Sequence, residues 1–120
     1  MTHRISIALA TLAVALAVGL TTPATAQPIT ADNVGEMVQK ATTAAEHTAL
    51  ADYFRARAKE ASEGARKHRS MLVSGPKKPA RQDWDAHCKR LIQSFEAQAA
   101  AYTDLAKEQD VLAKHAQQAH

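Results

Sequence analysis

Histidine and sulfur side chains are the groups in this sequence whose spacing permits chemistry. His47 and His68 lie 21 residues apart, and His87 and His115 lie 28 apart. Both intervals are multiples of seven, so on helices each pair shares roughly one face. Met71 and Cys88 stand close to His68 and His87. Imidazole nitrogen combined with thioether or thiolate sulfur suits copper(I) or zinc, and His68, His87, Met71 and Cys88 therefore form the candidate metal set. Two features oppose it. His87 and Cys88 are adjacent, so on a helix they point about 100° apart. The surroundings are also basic: between residues 66 and 90, eight lysines and arginines face only Asp83 and Asp85, a net +6 that repels an entering cation. Polar, half-buried histidines in a helical bundle are the simpler expectation, and metal handling is the alternative.

Other patterns of site chemistry are missing from the sequence. There is no Glu-x-x-His pair for a di-iron bundle and no Cys-x-x-Cys-His for covalent haem. Neither a phosphate loop nor a Gly-x-Ser-x-Gly elbow occurs. The expectation is a protein that is not an enzyme and has no resident cofactor.

The first 26 residues read as a targeting segment. A short basic start ending at Arg4 leads into an uncharged apolar stretch, Ile5 to Leu20, and then to Ala24-Thr25-Ala26. That is the three-part pattern of a secretory signal, with cleavage expected after Ala26. The apolar run of 16 residues is shorter than the ~20 that span a bilayer, and no second such run follows. The expected product is one periplasmic or secreted domain, residues 27–120, without a transmembrane segment. Its 14 basic and 12 acidic side chains leave a net +2, too small to argue for nucleic acid. Cys88 is its single cysteine, so no internal disulfide staples the fold.

Two long stretches rich in Ala, Glu, Lys, Gln and Arg carry almost no Gly or Pro, which predicts helices over about 33–73 and 80–119. Asn33 with Glu36 has the spacing of a capping box, and Thr42-Thr43 is the weakest point of the first helix, the place for a kink or a break. Between the helices, Gly75 suits a helix end, Pro76 cannot continue a helix, and Pro79 can enter a new first turn. A loop over 74–79 makes the helices antiparallel neighbours. At ~1.5 Å per residue each would be roughly 55–60 Å long. His47, Ala51, Phe54, Ala58, Ala61, Ala65, His68 and Leu72 follow a 4-3-4-3 rhythm. Trp84, Cys88, Leu91, Phe95, Ala99, Tyr102, Ala106 and Gln109 are spaced 4-3-4-4-3-4-3. Folding about residue 77 or 78 sets His68 opposite His87, His47 opposite Glu108 and His115 opposite Lys40, with Phe54 near residues 99–105. The fold class expected is all-α, a long antiparallel helical hairpin of coiled-coil character. Its seam is alanine-rich, each alanine buries little area, and two helices enclose no core, so a homodimer completing a four-helix bundle is expected.

The pattern His47-x-x-Leu50-Ala51-x-Tyr53-Phe54, Ala65-x-x-His68-x-x-Met71, His87-Cys88-x-x-Leu91, Ala99-Ala100 and Leu112-Ala113-x-His115 resembles a group of small exported bacterial helical-hairpin proteins with spaced histidines. The resemblance covers about residues 46–115. It implies a hairpin fold and export, and it implies no particular activity. The reading that follows is a non-enzymatic envelope protein acting through helix–helix contact, as a homodimer or with another envelope protein. The alternative is a periplasmic copper- or zinc-binding protein. A basic loop end, set against a net −4 in the rest of residues 27–120, could also touch an anionic surface.

Overall fold

The structure is a computed structural model that describes residues 27–77 and 80–119. Residues 1–26, where the signal peptide is expected, and Pro79, expected in the second helix's first turn, lie outside the described residues. Three helices follow in order: α1 (Val34–Lys40), α2 (Ala44–Ser74) and α3 (Arg81–Gln118). Among the described residues there is no strand. α2 and α3 pack against each other along their length as an antiparallel helical hairpin.

The helix expected over 33–73 is two helices, divided at its weak point beside Thr42-Thr43. It breaks at Ala41–Thr43, with Ala41 extended at φ −61°, ψ 126° and Thr43 extended at φ −101°, ψ 155°. The physical reason is a strong start signal inside the run. The Thr43 hydroxyl accepts from the Glu46 backbone N–H at 3.2 Å, and the Glu46 carboxylate accepts from the N–H groups of Thr42 and Thr43 at 2.8 and 3.0 Å. That is a complete capping box. The box expected at Asn33 is absent. Asn33 holds the N-cap position, but its side chain accepts from the Thr30 N–H and donates to the Pro28 carbonyl, while Glu36 pairs with Lys40.

The two backbone N–H groups, with the Thr43 hydroxyl, hold the Glu46 carboxyl below its ordinary range. A lowered carboxylate stabilises the fold above its unfolded pKa, and that contribution is lost as pH falls through the lower folded value. Thr43→Ala is expected to cost about 1 kcal/mol, read as a lower midpoint in urea denaturation. The difference between variant and wild type should shrink in acid, once Glu46 is protonated in both.

The break lets α1 turn onto the open end of the hairpin. There Leu50, Phe54 and Ala106 form the core cluster, with Ile29, Val34, Met37 and Ala41 packed against them beside Tyr53 and Tyr102. The predicted stripes are the hairpin seam. His47, Ala51, Phe54, Ala61 and Ala65 of α2 are buried against Cys88, Ala106 and Gln109 of α3. Phe54 stacks on Tyr102 with ring centroids 6.3 Å apart, the register expected from the loop position.

The loop end is held by the first turn of α3. The Trp84 indole N–H donates to the Met71 carbonyl at 3.1 Å, and the Arg81 guanidinium donates to the Leu72 carbonyl at 2.5 Å. Both carbonyls lie in the last turn of α2, where no intrahelical donor remains. Gly75 is extended at φ −66°, ψ 175° rather than left-handed, so glycine is needed here for space. A Cβ on it would sit 2.3 Å from the Trp84 indole nitrogen. Gly75→Ala should therefore displace the indole and break its hydrogen bond, visible as a red-shifted Trp84 fluorescence maximum.

Candidate functional site

The hairpin has two unlike flanks. At about 100° per residue, Arg55 and Arg69 project to one side of the α2 seam, and Arg57 and Gly64 to the other. On the first side ion pairs cross between the helices. Arg55 reaches Asp110 at 2.5 Å while also holding Asp52 at 2.7 Å, and Arg69 pairs with Glu96. These carboxylates hold the Arg55 guanidinium above its ordinary pKa. Exposed pairs of this kind add little stability, but they occupy that flank with charge.

The second flank carries a groove of about 450 Å³ in which the charged side chains of α2, Arg57, Glu60, Glu63 and Lys67, share the lining with Gly64 and His68 and with Phe95, Gln98 and Tyr102 of α3. Gly64 makes room for it, since a Cβ there would meet the Phe95 ring at 2.8 Å. His68 stacks on Phe95 with centroids 5.7 Å apart and planes 20° apart. Arg57 lies over the Tyr53 ring at 5.7 Å, a cation–π contact that keeps the guanidinium beside the groove. Two enclosed nitrogens in this wall, Arg57 Nε and His68 Nδ1, have no hydrogen-bond partner. Leu105 and Leu112 continue the flank toward the open end. They lie seven and fourteen residues from Gln98, with 37% and 42% of their surface exposed.

The candidate metal residues are only partly gathered. His68 and His87 face each other across the helices, edge to face, with ring centroids 6.5 Å apart. Cys88 is enclosed in the seam at 0% exposure, whereas the neighbouring His87 is exposed, as adjacent positions on a helix require. Met71 is half-buried near the loop, its carbonyl taken by Trp84. Among the described residues no three His, Cys, Asp or Glu side chains converge where they could hold a metal ion.

The other histidine expectations shift by a residue or fail. His47 is buried and its Nδ1 lies 2.8 Å from the Gln109 Oε1, so its partner is Gln109 rather than Glu108. His115 is exposed and does not meet Lys40, because the break at Ala41 carries Lys40 away on α1. Sequence reasoning does not find the groove. The signal available was the heptad row of Gln98, Leu105 and Leu112, one position outside the seam.

The fold and flank together define a helical-hairpin protein with a short accessory helix. Compared with known protein families, curated proteins and solved structures, the chain matches none. Among the described residues no helix is long and apolar enough to cross a membrane.

Proposed function

We propose that this is an exported, non-enzymatic helical protein of the cell envelope that works by helix–helix contact along the Phe95–Tyr102 flank. One observation carries the reading: the hairpin already seats a short helix, α1, through the half-buried side chains Val34 and Met37. α1 and the residues before it cover the open end through Ile29, Val34 and Met37. Beyond α1 the hairpin offers an open groove where Phe95 and Tyr102 stand among charged side chains of α2, with Leu105 and Leu112 exposed further along α3. Interfaces concentrate aromatic anchors in this way. Export rests on the basic start, apolar stretch and Ala24-Thr25-Ala26 of the sequence.

A photo-crosslinking residue in place of Gln98 should give a discrete cross-linked product in living cells, in the fraction where mass spectrometry finds a mature N-terminus at Gln27. The same residue in place of Ser62, exposed on the charged flank, should give none. Equal labelling from both positions, or none from Gln98, rejects the reading.

The approach of His68 to His87 favours a second reading, a periplasmic copper or zinc site of two imidazoles with the Met71 thioether. Titration with copper(I), copper(II) and zinc tests it. Affinities left unchanged by His68→Ala with His87→Ala dispose of it.

A further inference from the structure

We infer that the occupant of the groove is a second copy of this chain, packed groove to groove and antiparallel. The inference rests on the helix-contact reading above and specifies partner, face and orientation.

Three observations lead there. The first is continuity. Leu50, Phe54 and Ala106 at the open end are covered by α1, and the groove flank carries aromatic rings on among charged side chains of α2. Phe95 and Tyr102 line it, Tyr53 stands beside it under Arg57, and Leu105 and Leu112 extend it. Three of the chain's five aromatic residues are thus at this flank, where the Arg57–Glu60 pair stays within α2, while on the other flank ion pairs cross between the helices. An occupant must therefore meet aromatic rings together with charges of both signs, and a second hairpin presents both, matched to it by construction.

The second is position. The groove spans residues 57–68 of α2 and 95–102 of α3, near the middle of helices running 44–74 and 81–118. A two-fold axis through the groove aligns the two hairpins over most of their length. The four long helices then enclose the Phe95 and Tyr102 rings that one hairpin leaves half-exposed, giving the closed core that two helices cannot form alone.

The third is charge, which sets direction. Residues 66–90 at the loop end carry eight basic and two acidic side chains, net +6, and the remainder of residues 27–120 carries six basic and ten acidic, net −4. A parallel pair would place the two +6 ends side by side. An antiparallel pair lays each loop end along the partner's open end, where charges of opposite sign meet.

A side chain beside a two-fold axis meets its own copy, so one charge placed there repels itself whatever its sign. Gln98 is such a position: it lines the groove, is exposed, and bonds only to Ser94 within its own helix. Sedimentation velocity over a concentration series should find the purified protein dimeric. Gln98→Glu and Gln98→Lys should each raise the dissociation constant at least about tenfold with helical circular dichroism unchanged, and Ser62→Lys should not. For direction, Lys77→Cys carries a nitroxide at the loop, while Cys88, enclosed in the seam, stays unlabelled. Pulsed dipolar spectroscopy should then read a separation of roughly 50 Å, about one hairpin length.

A dimer with its labels within about 20 Å, two helix diameters, would overturn the antiparallel arrangement. Dimerisation that survives both Gln98 charges would overturn the groove as its interface. A protein that sediments as a monomer while its Gln98 cross-linker captures another envelope protein overturns self-pairing and leaves the helix-contact reading intact. A monomer that captures nothing overturns both.

Discussion

Replacing Phe54 with alanine is expected to cost about 3 kcal/mol and to release α1 from the hairpin. Phe54 is the largest buried apolar side chain in the open-end cluster, with 6% of its surface exposed. Its ring stands edge-on to Tyr53 at 5.4 Å and stacks on Tyr102 at 6.3 Å. Truncation removes both aromatic contacts and leaves a space that rigid helices close only in part. Of its neighbours, Ala41 and Ala106 have no reach to fill the gap. Because Ile29, Val34 and Met37 pack on the same cluster, α1 loses its seat with the ring. Urea denaturation monitored by circular dichroism should show the lowered midpoint. Amide hydrogen exchange should show residues 34–41 losing protection while residues near 88 keep theirs. Uniform protection loss along both long helices would mean that α1 and the hairpin form one cooperative unit, contrary to the local seat described here.

Gln109→Ala is expected to cost about 2 kcal/mol, more than the apolar area removed would suggest. Gln109 and His47 are buried at 5% and 8% exposure, and their side chains bond across the seam at 2.8 Å. The Gln109 carbonyl oxygen accepts the Nδ1–H of the imidazole in the tautomer this contact selects. Removing the acceptor leaves a buried donor without a partner, and such a group costs about 1–3 kcal/mol. Replacing both partners with leucine avoids that penalty and adds apolar area to an alanine-rich seam. The paired variant His47→Leu with Gln109→Leu should therefore recover most of the loss or exceed wild type. The check is a double-mutant cycle in urea. Additive effects of the two single changes would show that the residues are not coupled as the geometry implies.

These two sites also show how far the sequence reaches. His47, Phe54 and Gln109 all fall on the stripes spaced by threes and fours, so their inward facing is a consequence of helical periodicity alone. The turn at Gly75-Pro76 then fixes which residues stand opposite, because a short loop leaves two helices a single antiparallel register. That is why Phe54 near Tyr102 and His68 near His87 are legible from residue numbers alone. The partner of His47 is not: counting from the loop misses it by one position. Residue counting places backbones opposite, and only the direction of the side chain selects Gln109 over Glu108.

What the sequence by itself determined is the all-helical class, the turn and the residues of the seam, because periodicity, helix propensity and proline chemistry act locally. Tertiary structure decided the rest. It chose Thr43 with Glu46 as the start of α2, since turning α1 back packs Val34 and Met37 half-buried against the open-end cluster. It separated Cys88 from His87, enclosing one and exposing the other. It also made the two flanks unlike, because whether a position just outside the seam meets an ion pair or an open groove depends on what the neighbouring helix sets beside it, and no single helix carries that information.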